Sequence, residues 1–231
     1  MTRRRWAVVV VAVILALGSV VVLILQPWRP RPTVHLPALP AGETYGIDVS
    51  HHQGKIDWGL VAADRIAFAY VKASEGTSVV DARFEANAAG ASRAGLRVGA
   101  YHFFSLCGPG NVQARTFLAA APPDAHQLAP ALDVEFQTSC PKPPGRAQVM
   151  AQVQAFLTVV EKAWGRPVLI YTNDDFNRHY PVRGLGRPLW IPRYGHRPPT
   201  VPAWVIWQSS EGATLDGVTG PVDLDVAAAA A

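Results

Sequence analysis

Charged residues are scarce in this chain of 231 residues, and basic runs are missing from most of it. Only 16% of the residues are charged, whereas 49% are hydrophobic. The formal net charge is +4, but five of the 21 basic residues precede residue 36 and all 17 acidic residues follow it. From residue 36 onward the net charge is therefore about −1. Without a basic stripe the chain cannot track a phosphate backbone, so we exclude nucleic acid as a partner.

Charge is entirely absent from residues 6–25, which read WAVVVVAVILALGSVVVLIL. A helix of this length is about 30 Å long and matches the hydrocarbon layer of a bilayer. Three arginines directly before it favour a cytoplasmic N-terminus and export of the rest of the chain. We expect a cytoplasmic basic segment over residues 1–5 and an uncleaved transmembrane anchor over residues 6–25. A signal peptide cleaved near residues 16–18 is the alternative.

Periodic apolar residues are absent from residues 26–43, where prolines are frequent. Such a segment predicts an extended, semi-rigid tether between the anchor and the domain that follows. Residues 44–231 are numerous enough to bury one substantial core. We therefore expect a single domain held outside the cytoplasm by a membrane anchor, or secreted if the first segment is cleaved.

The domain alternates short apolar, β-branched and aromatic runs with helical stretches. The predicted strands are residues 44–50, 66–74, 97–105, 128–136, 167–172, 188–194, 203–208 and 222–225. Apolar residues three and four apart predict helices within residues 81–96 and 145–165. Strand–helix alternation predicts a parallel sheet, and about eight strands predict its closure. The fold class is therefore α/β, an irregular TIM-like barrel with fewer helices in its second half, where residues 180–188 and 194–202 resemble loops.

Cysteine is rare, and only Cys107 and Cys140 are present. Two cysteines in an exported protein favour a disulfide, and two buried free thiols are the alternative. Each follows a predicted strand, so a bridge would brace loops at one end of the barrel. No further His or Cys is spaced to complete a metal site with His51 and His52. We therefore expect no metal and no other cofactor.

Polar residues collect at the ends of the predicted strands, the edge where parallel α/β proteins bind ligands. Asp133 and Glu135 lie two residues apart, so on a strand their side chains share a face, with Cα atoms about 6.6 to 6.8 Å apart. Burial and repulsion would raise the pKa of at least one of them. A protonated acid beside an ionised one suits glycosidic cleavage, whether retaining or inverting. Rim ion pairs with Arg or Lys are the alternative.

Further carboxyl groups and aromatic rings are predicted near the same cavity. The first predicted strand contributes Asp48 and the last contributes Asp223. Aromatic rings stack on sugar faces, although each alone is more often part of a core. The aromatic candidates are Tyr101, Tyr171, Trp190, Tyr194, Trp204 and Trp207. Gln53, Lys72 and Glu75 are candidate substrate contacts as well, and a rim ion pair is the alternative for the last two.

Eight ordered motifs resemble the glycoside hydrolase family 25 lysozymes over residues 45–226. They are DVSHHQG, VKASEGT, GAYHFF, LDVE, LIYT, LWIPRY, WQ and VDLD. The resemblance implies a flattened (β/α) barrel with fewer helices in its second half. It also implies hydrolysis of the β-1,4 bond between N-acetylmuramic acid and N-acetylglucosamine in peptidoglycan glycan strands. We then expect a monomer anchored in the cytoplasmic membrane of a bacterial cell envelope.

The resemblance also assigns roles to the carboxyl groups. Glu135 would be the proton donor. Asp133 would stabilise the developing positive charge or orient the acetamido group of the substrate, and Asp48 and Asp223 would complete the acidic cluster. The chain departs from the family at Asp225, where many members have Asn. A catalytically inactive glycan-binding anchor and a hydrolase of another N-acetylated polymer, such as chitin, are the alternative functions.

Overall fold

The computed structural model describes residues 36–136, 140, 142–199 and 204–228. The predicted basic segment, the predicted anchor and residues 26–35 of the predicted tether lie outside these described residues. Within them, no helix combines the length and the apolar character needed to cross a bilayer.

Within the described residues, eight strands close into a barrel and one short strand extends it. They are β1 (Thr44–Val49), β2 (Ile66–Glu75), β3 (Val79–Val80), β4 (Arg97–Phe103), β5 (Ala131–Asp133), β6 (Leu169–Tyr171), β7 (Leu189–Pro192), β8 (Ile206–Ala213) and β9 (Val222–Ala227). Around the barrel the order is β1, β2, β4, β5, β6, β7, β8 and β9, which pairs again with β1. The short strand β3 forms a hairpin with β2. The predicted barrel of about eight strands is confirmed.

The sheet is mixed rather than wholly parallel, because β9 runs opposite to its two neighbours. The other neighbouring barrel strands pair in parallel, whereas β9 is antiparallel to β8 and to β1. The prediction of a parallel sheet is therefore wrong at the last strand. Only eight residues separate Ala213 from Val222. A parallel crossover needs about a dozen or more, so the short connection requires the reversal.

The helices lie mainly in the first half of the barrel. They are α1 (Trp58–Ala63), α2 (Phe84–Arg93), α3 (Gly110–Ala120), α4 (Arg146–Trp164) and α5 (Asp174–His179), with 3-10 turns at His51–Gln53 and Val182–Leu185. The predicted helices are confirmed as α2 and α4, and α4 ends at Gly165 in the left-handed conformation that favours glycine. The helices α1, α3 and α5 were missed. Among the described residues, no helix lies between β7 and β8 or between β8 and β9. The prediction of fewer helices in the second half is therefore confirmed.

Alternation of side chains along the strands divides the core into two layers. The barrel interior is filled by Phe68, Tyr70, Tyr101, Ala131, Leu169, Tyr171, Trp190 and Ile206. Outward side chains join a larger apolar layer that includes Phe117 of α3 and Phe156 of α4. Gly46 and Gly99 stand against the interior layer, where a Cβ atom on either would overlap the ring of Phe68 or Tyr70. These two positions therefore require glycine.

The last part of the predicted tether packs against the barrel. Leu36 is buried in the outer apolar layer, and its carbonyl oxygen accepts a hydrogen bond from the Arg65 guanidinium. The Tyr45 hydroxyl donates to the carbonyl oxygen of Pro37 at 3.1 Å. The structure therefore places Leu36 and Pro37, which the sequence assigned to the tether, in contact with the barrel.

Candidate active site

A cavity of about 310 Å³ opens at the end of the barrel where the parallel strands finish. Four carboxyl groups line it: Asp48 in β1, Asp133 at the end of β5, Glu135 beyond β5 and Asp223 in β9. The structure thus brings together all four carboxyl groups that the sequence singled out. They come from the first, fifth and ninth strands of the chain, so only barrel closure places them in one cavity.

Asp223 reaches the cavity from the opposite end of its strand to the one expected. The sequence placed it with the carboxyl ends of parallel strands. Because β9 is antiparallel, its first inward residue lies at the mouth, directly opposite Asp48 in β1. Directly opposed antiparallel residues have Cβ atoms about 4.5 to 5.5 Å apart, so the two carboxyl groups are close neighbours. Asp225, two residues further along β9, lies deeper and is completely buried.

Asp133 and Glu135 share a face although the strand is shorter than predicted. β5 ends at Asp133 instead of residue 136. The chain stays extended because the Val134 amide donates to the carbonyl oxygen of Tyr171 at 3.0 Å, and the Phe104 amide donates to that of Asp133 at 2.9 Å. Val134 faces outward and is buried. The alternation therefore continues past the strand and directs both carboxyl groups into the cavity.

A buried amide holds one of the four carboxyl groups. Gln208 Nε2 in β8 donates to Asp48 Oδ2 at 2.9 Å. Gln208 Oε1 accepts hydrogen bonds from the hydroxyls of Tyr171, at 3.0 Å, and Tyr194, at 3.2 Å. Gln208 belongs to the WQ motif, from which no role was predicted for it. The signal that could have identified it is an amide side chain at the end of a predicted strand, at the edge of the barrel where the carboxyl groups were expected.

Burial is the main influence on the two deeper acids. It raises the pKa of Asp48 well above the ordinary range, and the charge of Asp223 raises it further. It likewise raises the pKa of Asp133, to which the neighbouring charge of Glu135 adds. Both acids therefore favour their protonated forms more than an exposed aspartate does.

The two acids nearer the mouth are also raised. Burial raises the pKa of Glu135, the charge of Asp223 raises it further, and Lys72 opposes the shift. Burial and the charge of Glu211 raise the pKa of Asp223 to about 6. The cluster therefore retains protons at a pH where isolated carboxyl groups are ionised, as proton donation requires.

A family model described as Glycosyl hydrolases family 25 matches residues 47–218, which is more than half of the chain. The chain belongs to glycosyl hydrolase family 25. It is therefore a glycoside hydrolase. Asp48, Asp133 and Glu135 lie within the matched residues, whereas Asp223 and Asp225 follow them.

Individual proteins agree with the family match. The chain is 36% identical over 198 residues to the uncharacterized protein YegX of Escherichia coli K12, covering 81% of this chain and 71% of that protein. It is 34% identical over 192 residues to lysozyme M1 of Streptomyces globisporus, covering 77% and 65%. The structure of the bacterial lysozyme from Streptomyces coelicolor superposes with a TM-score of 0.73 at 33% identity, covering 80% and 92%. The resemblance seen in the ordered motifs is confirmed.

Five of the predicted substrate contacts line the cavity of this family 25 hydrolase: Gln53, Lys72, Glu75, Tyr101 and Tyr171. Lys72 Nζ lies 2.6 Å from Glu75 Oε2 and 4.5 Å from the centre of the Phe103 ring. The rim ion pair is therefore present, and both of its members also face the cavity.

The other four candidates, Trp190, Tyr194, Trp204 and Trp207, do not line the cavity, and Trp204 is buried in the outer apolar layer. Trp190 is buried in the barrel interior, where its Nε1 donates to Asp225 Oδ1 at 2.9 Å. Tyr194 is 45% exposed and reaches the site through Gln208. Trp207 precedes an inward residue, so it faces outward, and its Nε1 donates to the carbonyl oxygen of Arg193 at 2.7 Å. Trp190 therefore lies too deep to contact a ligand in the cavity, and Trp207 faces away from it. Both differ in this from the prediction that they bind substrate directly.

A small capping motif shapes one rim of the cavity in this family 25 hydrolase. Ser50 caps the 3-10 turn: its hydroxyl accepts from the His52 amide, and its own amide donates to Gln53 Oε1 at 2.9 Å. All three residues line the cavity. The S-H-H-Q spacing of a capping box could have identified Ser50 and His52. His51 instead pairs with Asp81, its Nδ1 lying 2.7 Å from Asp81 Oδ2.

The two cysteines form the predicted disulfide, with Cα atoms 5.6 Å apart. The bond joins the connection after β4 to the segment that follows Glu135. Gln113 of α3 also holds the first connection, because its Nε2 donates to the carbonyl oxygens of Ser105, at 2.8 Å, and Gly108, at 3.0 Å. The chain beyond Glu135 is therefore covalently attached to a loop that is itself fixed by hydrogen bonds.

Proposed function

We propose that this family 25 hydrolase is a peptidoglycan muramidase. It cleaves the β-1,4 bond between N-acetylmuramic acid and N-acetylglucosamine. The observation that carries the proposal is the convergence of Asp48, Asp133, Glu135 and Asp223 on one cavity. A relative named lysozyme M1 and a similar structure of a bacterial lysozyme support peptidoglycan as the substrate.

Glu135 is the general acid in this proposal. It is partly exposed, it lines the cavity, and it lies two residues beyond the end of β5. Its raised pKa favours the protonated form that must donate to the departing glycosidic oxygen. Within the described part of the chain, none of the ion pairs includes Glu135. Lys72, which lowers the pKa of Glu135 through its charge, pairs directly with Glu75 instead.

The remaining acids stabilise and orient the substrate. Asp133 lines the cavity, where its carboxyl group can accept the N–H of an acetamido group of the substrate. Negative charge on Asp223, and on Asp48 when it is ionised, stabilises the positive charge that develops on the sugar. Tyr101 and Tyr171 contribute aromatic surface, while Gln53, Lys72 and Glu75 bind polar groups of the glycan along the wall.

Replacement of the general acid tests the reaction. We expect Glu135→Gln to lower the rate of turbidity clearing of purified cell walls by about 10²- to 10⁴-fold, because amides do not donate a proton to the leaving group. Glu85→Gln, an exposed change on α2, is the matched control. Equal clearing by wild type and E135Q would remove Glu135 as the general acid, and no clearing by wild type would remove the muramidase proposal.

A second assay tests the substrate. Reducing ends are measured after incubation with peptidoglycan and, in parallel, with chitin. A muramidase releases them from peptidoglycan. Release from chitin alone would assign the cavity to another N-acetylated polymer, and glycan binding by the wild type without any release would indicate an envelope anchor.

We further propose that residues 6–25 anchor the enzyme in the cytoplasmic membrane, with residues 1–5 on the cytoplasmic side. The uncharged run and the preceding arginines support this arrangement. Because the chain from residue 36 packs on the barrel, the tether shortens to residues 26–35. A flexible chain of ten residues has a root-mean-square span of about 16 to 19 Å, so only glycan near the membrane is within reach.

Fractionation of cells tests the anchor. The full chain is expected in the membrane fraction after a carbonate wash, and a secreted form beginning at residue 36 is expected in the soluble fraction. Recovery of the full chain in soluble form, shortened near residue 18, would establish a cleaved signal peptide instead.

A further inference from the structure

Asp225 is a buried acid below the cavity for which the proposed function has no role. It belongs to β9, faces the barrel interior and has no exposed surface. Its Oδ1 accepts a hydrogen bond from Trp190 Nε1 at 2.9 Å. Its Oδ2 is also buried, and no N–H or hydroxyl group of the described residues donates to it. A buried polar atom without a partner is costly, so this oxygen requires an explanation.

The carboxyl group of Asp48 is the available partner for that oxygen. Asp48 and Asp225 are diagonal neighbours on β1 and β9, and their side chains lie within hydrogen-bonding reach of each other. Two carboxylates cannot form a hydrogen bond, whereas a carboxylic acid can donate to a carboxylate. One proton between Asp48 and Asp225 would therefore satisfy the free oxygen.

The surroundings favour retention of that proton. The polar and titratable groups that face Asp225 are Asp48 from β1, Tyr70 from β2, Trp190 from β7, Gln208 from β8 and Asp223 from its own strand. None of these is a cation, and none of the ion pairs in the described ranges includes Asp225 or Asp48. Burial raises the pKa of Asp225, and the charge of Asp48 raises it further. An ionised pair would place two negative charges together in the barrel interior.

We propose that Asp225 is a positioning residue that shares one proton with Asp48 and thereby fixes the orientation of Asp48 beneath the substrate. Gln208 holds one oxygen of Asp48 at 2.9 Å, and the shared proton holds its carboxyl group from below. The pair carries a single negative charge. The positioning role rests on the proposed function, because it matters only if Asp48 serves the reaction, but the proton itself can be detected without any activity.

The first test measures stability against pH. The pKa of Asp225 is raised in the folded state, so its contribution is complete below the unfolded value near 3.9 and is lost as pH rises through the folded value. Asp225→Asn supplies a neutral donor that does not titrate. We expect the melting temperature of D225N minus that of wild type to increase between pH 5 and pH 8 by at least about 2 °C. The exposed change Asp175→Asn on α5 is the control, and a D225N difference as independent of pH as that of D175N would overturn the proposal.

The second test separates positioning from packing. Asp225→Leu keeps the branching of the side chain at Cγ but has no donor, so we expect kcat to fall at least about tenfold while KM changes less than about twofold. Asn at this position restores a donor, and we expect kcat within about threefold of wild type. Equal losses in D225N and D225L would overturn the positioning role.

A third measurement covers the case in which D225L does not fold. In wild type labelled with ¹³C-aspartate, the carboxyl resonance that disappears in D225N should keep the chemical shift of a protonated or proton-sharing acid at pH 6. The shift of a fully ionised carboxylate at that pH would overturn the proposal. Failure of the muramidase proposal would leave this result and the melting series unchanged, so the two failures are distinguishable.

Discussion

Asp48 on the first strand and Asp223 on the last face each other directly across an antiparallel pair of strands. The contact that closes the barrel therefore also joins two acids from opposite ends of the domain. After burial, the charge of Asp223 is the largest cause of the raised pKa of Asp48. Closure of the barrel thus creates much of the electrostatic character of the site.

Asp223 and Lys72 shift the proton affinity of Glu135 in opposite directions. After burial, Asp223 raises the pKa of Glu135 and Lys72 lowers it. The rate falls on the alkaline side as the general acid loses its proton. We therefore expect Asp223→Asn to move the alkaline limb of kcat/KM to lower pH, and Lys72→Met to move it to higher pH. Profiles of kcat/KM between pH 4 and pH 9 locate the alkaline limb of each variant. The position of that limb can be compared whatever each change does to the maximum rate.

The same profile for Glu85→Gln should coincide with that of wild type, because this residue is exposed on α2 outside the barrel. If the alkaline limb moves in the same direction in Asp223→Asn and Lys72→Met, or moves in neither, Glu135 does not set the alkaline limb.

Removal of Gln208 should weaken both the fold and the reaction. Gln208→Leu leaves Asp48 Oδ2 without its donor and the Tyr171 hydroxyl without its acceptor. Buried polar groups without partners cost about 1 to 3 kcal/mol, so the free energy of unfolding in urea should fall by about that amount. We expect kcat to fall about tenfold as well, because Asp48 loses its orientation.

A glutamate at position 208 has the same shape but cannot donate when ionised, and its charge adds to that of Asp48. Gln208→Glu should therefore be more destabilising at pH 8 than at pH 5. Gln154→Leu, an exposed change on α4, serves as the control. If Q208L unfolds at the same urea concentration as Q154L, the hydrogen bonds of Gln208 do not stabilise the fold.

The disulfide should contribute substantially to stability. Cys107 and Cys140 are separated by 33 positions in the chain, and closure of such a loop stabilises the folded state by about 3 to 4 kcal/mol in the chain-entropy description. The double change to alanine should lower the unfolding midpoint in urea accordingly, and wild type in dithiothreitol should approach the same midpoint. Identical midpoints for oxidised and reduced wild type would contradict this prediction.

The segment before β1 should be part of the folding unit. Leu36 is 8% exposed and packs on the outer apolar layer, and burial of a leucine side chain is worth about 1.5 to 3 kcal/mol. A chain that begins at residue 44 should therefore be less stable than one that begins at residue 36 by about that amount. Thermal and urea unfolding of the two forms measure the difference.

A single substitution provides the matched comparison. Leu36→Ala in the form that begins at residue 36 should reproduce most of the loss. Equal stability of the two forms would show that residues 36–43 are a passive connection after all.

The local elements and the acids of the site could be predicted because their signals lie within a few residues of one another. Short apolar runs predict the strands, and apolar residues three and four apart predict α2 and α4. The helices α1 and α5 have six residues each, too few to display a periodic stripe. Asp48, Asp133 and Glu135 could be chosen because each is a carboxyl group at or just beyond the end of an apolar run, where burial would otherwise exclude charge.

The sequence by itself determined the barrel class through residue type and local periodicity, and its ordered motifs indicated the family and the acids of the site. Only the tertiary structure decided the direction of β9, the depth of Asp225 and the hydrogen bonds of Gln208. It also decided that Trp190 faces the barrel interior and that Trp207 faces outward. The physical reason is that a shift of one residue turns a strand side chain from one face to the other. Its depth, partners and charge then depend on strands distant in the chain.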